Sequence, residues 1–216
     1  MKIIGYSTDM PMPMMMRFDL THYAWYNEKF DGNLPGRYRY QRDQMNVTEL
    51  WILMEDITLT LVLGDGSLIE MPFKKGFVWD LASVPEKLRS VIDNDAFIVF
   101  IAALFHDAVF GLHLFDFETC NDMFQQLIVI TATQYGERLI EDYQQIADRM
   151  YDDDAETYMK KCTKRIEKFV RQSERDSELY EFGVDSPFGK NVYDGKNPAT
   201  HWNVGFVTKK EIPCKI

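Results

Sequence analysis

Cysteine is scarce in this 216-residue chain. Cys120, Cys162 and Cys214 are its three, they lie far apart, and no C-x-x-C occurs. That pattern argues against a disulfide framework and a zinc-ribbon site, and makes a reducing compartment the default. Positive charge is also short: the formal net charge is -10 and the pI near 4.9. A chain so acidic lacks the broad basic face that phosphate-backbone binding needs, so no nucleic-acid partner is expected. Long apolar runs are missing too. The longest, Ala96 to Phe105, falls short of the roughly 18–20 residues of a membrane span. The first residues, MKIIGYSTDMPMPMMM, carry prolines and an acid where a signal peptide needs a clean apolar segment. No G-x-S-x-G elbow, internal repeat or interdomain linker is found.

What remains is the composition of an ordinary soluble globular protein, 46% hydrophobic and 27% charged. The length suits one core. Residues 1–44 read as an irregular arm rich in Met, Pro, Gly and aromatics. Its methionines would either fill gaps on the chain's own core or dock on a partner. From 48 to 72 the pattern alternates: Ile57, Leu59, Leu61 and Leu63 interleave with Thr58, Thr60 and Val62, and Gly64-Asp65-Gly66 punctuates. This predicts an antiparallel hairpin with one buried face. Ser83-Val84-Pro85-Glu86 has capping-box spacing, which gives Ser83 a structural role; a nucleophilic serine with His106 and Asp80 is the alternative.

After Pro72 the period turns helical. Ala96–Phe105 reads as a buried helix, opened by Asp93, Asn94 or Asp95 and running directly into His106-Asp107. Polar groups at the end of a buried helix are costly unless paired or used. Adjacent helical residues point about 100° apart, so His106 and Asp107 need different partners. Ala102 and Ala103, one turn earlier, leave room for another element, and Asp80 and Asp122 are the acids that could converge. The expected arrangement is the His106 ring bonded to Asp80 or Asp122 rather than to Asp107. A helix is predicted from about Asp116 to Thr131, and helical spacing continues from Tyr135 to Tyr151. Asp152-Asp153-Asp154 would cap a last, surface-lying helix with the stripe Tyr158, Cys162, Ile166, Phe169 and Ser173. From about 181 to 216 the reading is an irregular tail. Its five lysines against two acids, counted from Ser186, reverse the charge of the whole.

Gly76-Phe77-x-x-Asp80-Leu81-Ala82-Ser83-Val84-Pro85, Ala102-x-x-x-His106-Asp107-x-x-Phe110 and Asn121-Asp122-x-Phe124 together resemble an uncharacterised phage and prophage family, domain of unknown function 1353. That family's pattern is a GF-x-TD-x-AS-x-P turn, an HD-x-x-Y helix end and an AD-x-x-F helix. Here Trp79 replaces Thr, Phe110 replaces Tyr and Asn121 replaces Ala. The resemblance implies a viral origin and supplies no reaction. His106-Asp107 with Asp122 is also similar to the helix pair of phospholipases A2, without their calcium loop. His22 is the one upstream histidine an HD-type phosphohydrolase could use.

The expected fold class is α+β: a small antiparallel sheet (about 48–72) on a helical bundle (about 86–176), in one domain over 45–180 flanked by the arm and the tail. Two functions compete. One is a hydrolase-like site of His106, Asp107, Asp122 and Asp80, with His106 as base or ligand, and with His106, Asp107 and Asp122 as the set for a divalent metal. The other is a non-enzymatic virion or assembly component, docking on viral structural proteins or on itself through the arm and the tail. In that case His106 belongs to a buried structural network. An inhibitor of a host defence protein is a third class, compatible with the acidity. The expected location is host cytoplasm or virion.

Overall fold

A computed structural model describes residues 1–9, 15–19, 29, 49–79, 97–196 and 205–212. The predicted turn 80–85 with Asp80, the helix opening at 93–95, His22, Cys214 and most of the arm lie outside these. The fold is α+β. Its strands are β1 (Ile3–Thr8), β2 (Met15–Asp19), β3 (Glu49–Leu53), β4 (Ile57–Leu63), β5 (Leu68–Phe73), β6 (Val78–Trp79) and β7 (Lys210–Ile212). Its helices are α1 (Phe97–Gly111), α2 (Phe117–Ala147), α3 (Asp152–Val184) and α4 (Pro187–Asp194).

The hairpin β4–β5 forms as its alternation requires. Ile57, Leu59 and Leu61 are buried, opposite Phe73, Met71 and Ile69, which are buried too. In the turn, Gly66 takes φ 85, and Asp65 Oδ1 accepts from the Ser67 amide at 2.9 Å and the Ser67 hydroxyl at 2.6 Å. These bonds hold the Asp65 carboxyl below its ordinary value.

Both ends of the chain join this hairpin. β1 pairs antiparallel with β4 and β7 with β5, giving one sheet of order β1-β4-β5-β7. A second sheet, β2-β3-β6, lies beside it in sequence. Gly76, at φ 96, turns the chain between the two sheets so that its amide reaches Leu53 O at 2.8 Å and Leu53 N reaches Phe77 O at 3.0 Å. The irregular arm and tail of the sequence reading are thus corrected where they are described. Residues 3–8 are an edge strand, clamped by Gln126, whose Oε1 accepts from Ile3 N at 2.6 Å and whose Nε2 donates to Met1 O at 2.9 Å. The tail contains α4, capped by Ser186 with Pro187 in its first turn, and the opposite edge strand β7.

α1 is buried along nearly all its described length, from Val99 to Phe110, with Asp107 half-exposed. It runs four residues beyond Asp107, so His106 sits inside the helix rather than at its end. α2 starts at Asp116, whose side chain accepts from Thr119 N at 2.8 Å. The stretches read over Asp116–Thr131 and from Tyr135 onward are one helix. Thr131 is buried and the Thr133 hydroxyl bonds back to Val129 O at 2.9 Å, so the helix absorbs both threonines. Asp152, Asp153 and Asp154 form the first turn of α3 rather than a cap before it, where they complement the helix dipole.

α2 and α3 make a long antiparallel hairpin, with Tyr135 against Phe169 and Tyr143 against Tyr158, ring centroids 6.0 Å apart in each pair. No helix among the described residues is long and apolar enough to cross a membrane.

Candidate functional site

α1 and α2 pack face to face, and His106 lies in the seam. It is 6% exposed. Phe110, one turn on along α1, stands 4.9 Å from the ring, and Phe124 of α2 stands 4.7 Å from it on the tilted opposite flank. The same α2 stripe that delivers Phe117, Phe124 and Ile128 to the core delivers Asn121, 2% exposed. Asn121 Oδ1 lies 3.2 Å from His106 Nε2. The Asn121 amide donates from Nδ2 to Asp185 Oδ1, at 3.4 Å, at the end of α3. An amide whose nitrogen donates to Asp185 offers the imidazole a carbonyl oxygen, so Nε2 is the nitrogen that donates to it. The other nitrogen, Nδ1, faces Asp107 Oδ1 at 3.9 Å. A hydrogen-bonded chain therefore runs from His106 through buried Asn121 to exposed Asp185 and links α1 and α2 to the end of α3, while Asp107 Oδ1 at 3.9 Å lies beyond hydrogen-bond distance of the ring.

This arrangement departs from the expected one at two points. Asp122 is not the acid beside the imidazole. One residue beyond Asn121, it turns about 100° away, its side chain is 49% exposed, and its partner is the Met1 amino group at 3.8 Å. It borders a cleft of about 530 Å³ between β1, α2 and α3, with Gln126, Glu174 and Glu178. Asp107, expected to look elsewhere, is the carboxylate paired with the ring among the described residues, at 3.9 Å. Among the described residues no three His, Cys, Asp or Glu side chains converge as metal ligands, so the set His106, Asp107 and Asp122 is not assembled. Asp80 lies outside the described residues. Ala102 and Ala103 are fully buried, as their size allows.

A second polar cluster was missed in the sequence. α1 ends in a left-handed turn at His113, φ 50, closed by the Leu114 amide on Val109 O at 3.0 Å. His113 stacks on Tyr193 of α4 at 4.0 Å, and its Nε2 donates to Tyr193 O at 2.9 Å. The Tyr193 hydroxyl donates to Phe115 O at 2.7 Å. Burial pushes that phenol above its ordinary value, with Cys120 and Asp116 adding to the effect, which keeps it a donor. Three of the five lysines of the basic tail lie on aromatic faces here: Lys190 over Phe117 and Tyr193, Lys196 over Phe110, and Lys209 over Phe115 at 4.0 Å. The charge reversal of the tail was the available signal, and its partners are rings of this same chain. Beneath them Cys120 is fully buried, and desolvation pushes its thiol up to about 12.

Comparison with protein-family models, with curated proteins and with solved structures finds no match to this chain.

Proposed function

We propose that this chain is a non-enzymatic assembly component, of the phage kind that its Gly76-Phe77 and His106-Asp107 motifs resemble, and that its central histidine holds the helices together. One observation carries the reading: His106 is 6% exposed in the seam between two helices. Two phenylalanine rings flank it, Asn121 takes one nitrogen, and Asp107 stands before the other. A general base needs a nitrogen open to a reacting proton, within hydrogen-bond reach of it. A buried histidine bonded across a helix seam instead specifies packing. The extreme ends do not dangle free for docking, because β1 and β7 are paired into the chain's own sheet as its two edge strands.

The test is His106→Gln in the full chain. The reading expects a lower unfolding midpoint, no hydrolytic turnover by the wild type across ester, phosphoester and amide probes, and no change when divalent metals are added. Turnover by the wild type that vanishes in a normally folded His106→Gln variant overturns it.

A further inference from the structure

The α2–α3 hairpin carries opposite charges on its two outer faces. Along α3 the buried positions Ile166, Ser173, Ser177 and Tyr180 lie on one side. Lys160, Lys161, Lys164, Arg165 and Lys168 are exposed, mostly on the opposite side. Within 157–173 Glu167 is the sole acid, and it pairs with Arg171. No ion pair among the described residues engages the other five cations. Along the distal half of α2, Glu137, Glu141 and Asp142 are exposed with Arg138 among them, three acids to one base, and Gly136 and Ala147 are turned inward. One face is therefore basic and the other acidic, on a chain whose net charge is -10.

The two faces also match in height. Within the hairpin, Gly136 lies against Ile166 and Tyr143 against Tyr158. Extending that register to an α2 from a second molecule, laid on the outside of α3, brings Glu137 level with Arg165, Glu141 with Lys161 and Asp142 with Lys160, three opposite pairs against one like pair, Arg138 with Lys164. We propose that the hairpin is a copy-to-copy contact: the acidic outer face of α2 from one chain docks on the basic outer face of α3 from the next. This deepens the assembly reading above and rests on it. A second copy fits better than a polyanion, because the complementary acids sit on the same chain in the same register, while its overall charge repels phosphate polymers.

The contact is heterologous, since different surfaces meet, so it generates a ring or an open filament rather than a two-fold dimer. Exposed ion pairs are individually weak and screened by salt, so the association is weak and salt-sensitive.

Sedimentation velocity of the full chain tests it. At low ionic strength the wild type sediments as species larger than a monomer, and high salt returns it to the monomer. Lys161→Glu with Arg165→Glu destroys the basic face; Glu137→Lys with Glu141→Lys destroys the acidic one. Each variant alone stays monomeric with unchanged helical circular dichroism, and mixing the two restores association, because each supplies the face the other lacks. A wild type that is monomeric at every ionic strength overturns the contact and leaves the non-enzymatic reading standing, whereas His106-dependent turnover does the reverse. Variants that associate like the wild type overturn the assigned faces. A chain that stays monomeric and binds duplex DNA or phosphatidylserine vesicles through Lys161 and Arg165 overturns the second copy as the occupant.

Discussion

Gly136 of α2 lies so close to Ile166 of α3 that a β-carbon on it would fall 2.8 Å from the isoleucine Cγ2, with Val170 Cγ2 at 3.4 Å. Both neighbours are β-branched and stiff, so neither can swing aside. A glycine inside a helix costs about 1 kcal/mol relative to alanine. Here that cost is offset by the close approach of the two helices. Gly136→Leu is expected to lower stability by about 2–3 kcal/mol through overpacking, despite leucine's better helix propensity. Guanidinium unfolding measures it, and an unchanged midpoint would show that the hairpin can open at no cost.

Asn121 holds the buried His106 Nε2, so its removal leaves that nitrogen without its partner. Asn121→Leu is expected to destabilise by about 1–3 kcal/mol, the cost of leaving a buried donor unpaired. Adding His106→Phe should recover part of that loss, because replacing both partners with apolar groups removes the unpaired donor. The four-member double-mutant cycle in urea reads the coupling. Additive losses would mean that the bond at 3.2 Å contributes nothing.

Cys120 is fully buried with its thiol raised to about 12, while Cys162 on α3 is half-buried. The thiolate is the reactive form. In the native protein near pH 8, iodoacetamide is expected to label Cys162 well before Cys120, and to label both once guanidinium unfolds the chain. Peptide mass spectrometry distinguishes the positions. Early native labelling of Cys120 would contradict the packing of α2 against Phe115 and α4.

Asp56 accepts from the Lys75 amide at 2.8 Å and the Lys74 ammonium at 3.0 Å, and these hold its carboxyl below 3.8. Asp116, capping α2, is held below 3.8 by Thr119. A folded value beneath the unfolded one adds stability that is complete above the unfolded pKa and lost as pH falls through the folded one. Stability should therefore fall as the pH drops below about 4. Asp56→Asn should lower stability at neutral pH and flatten that acid limb, as thermal unfolding across pH would record. An acid limb as steep as the wild type's would remove Asp56 from the account.

The β4–β5 hairpin, the buried α1 and the capped start of α2 could be read from the sequence because their causes are local. Alternation selects one face of a strand, an Asp-Gly turn reverses it, and an aspartate one residue before a helix caps its amides. Asn121 was legible too: it shares the stripe of Phe117, Phe124 and Ile128, while Asp122 shares the outer face with Glu118. A helix presents neighbouring residues about 100° apart, so the face that buries the phenylalanines had already chosen the histidine's partner. Only the tertiary structure decided that residues 3–8 and 210–212 close opposite edges of one sheet. Short edge strands draw their order from the strand they meet, not from their own pattern. Three of the tail's lysines likewise found ring faces brought together by α1, α2 and α4, an environment no stretch of the chain contains by itself.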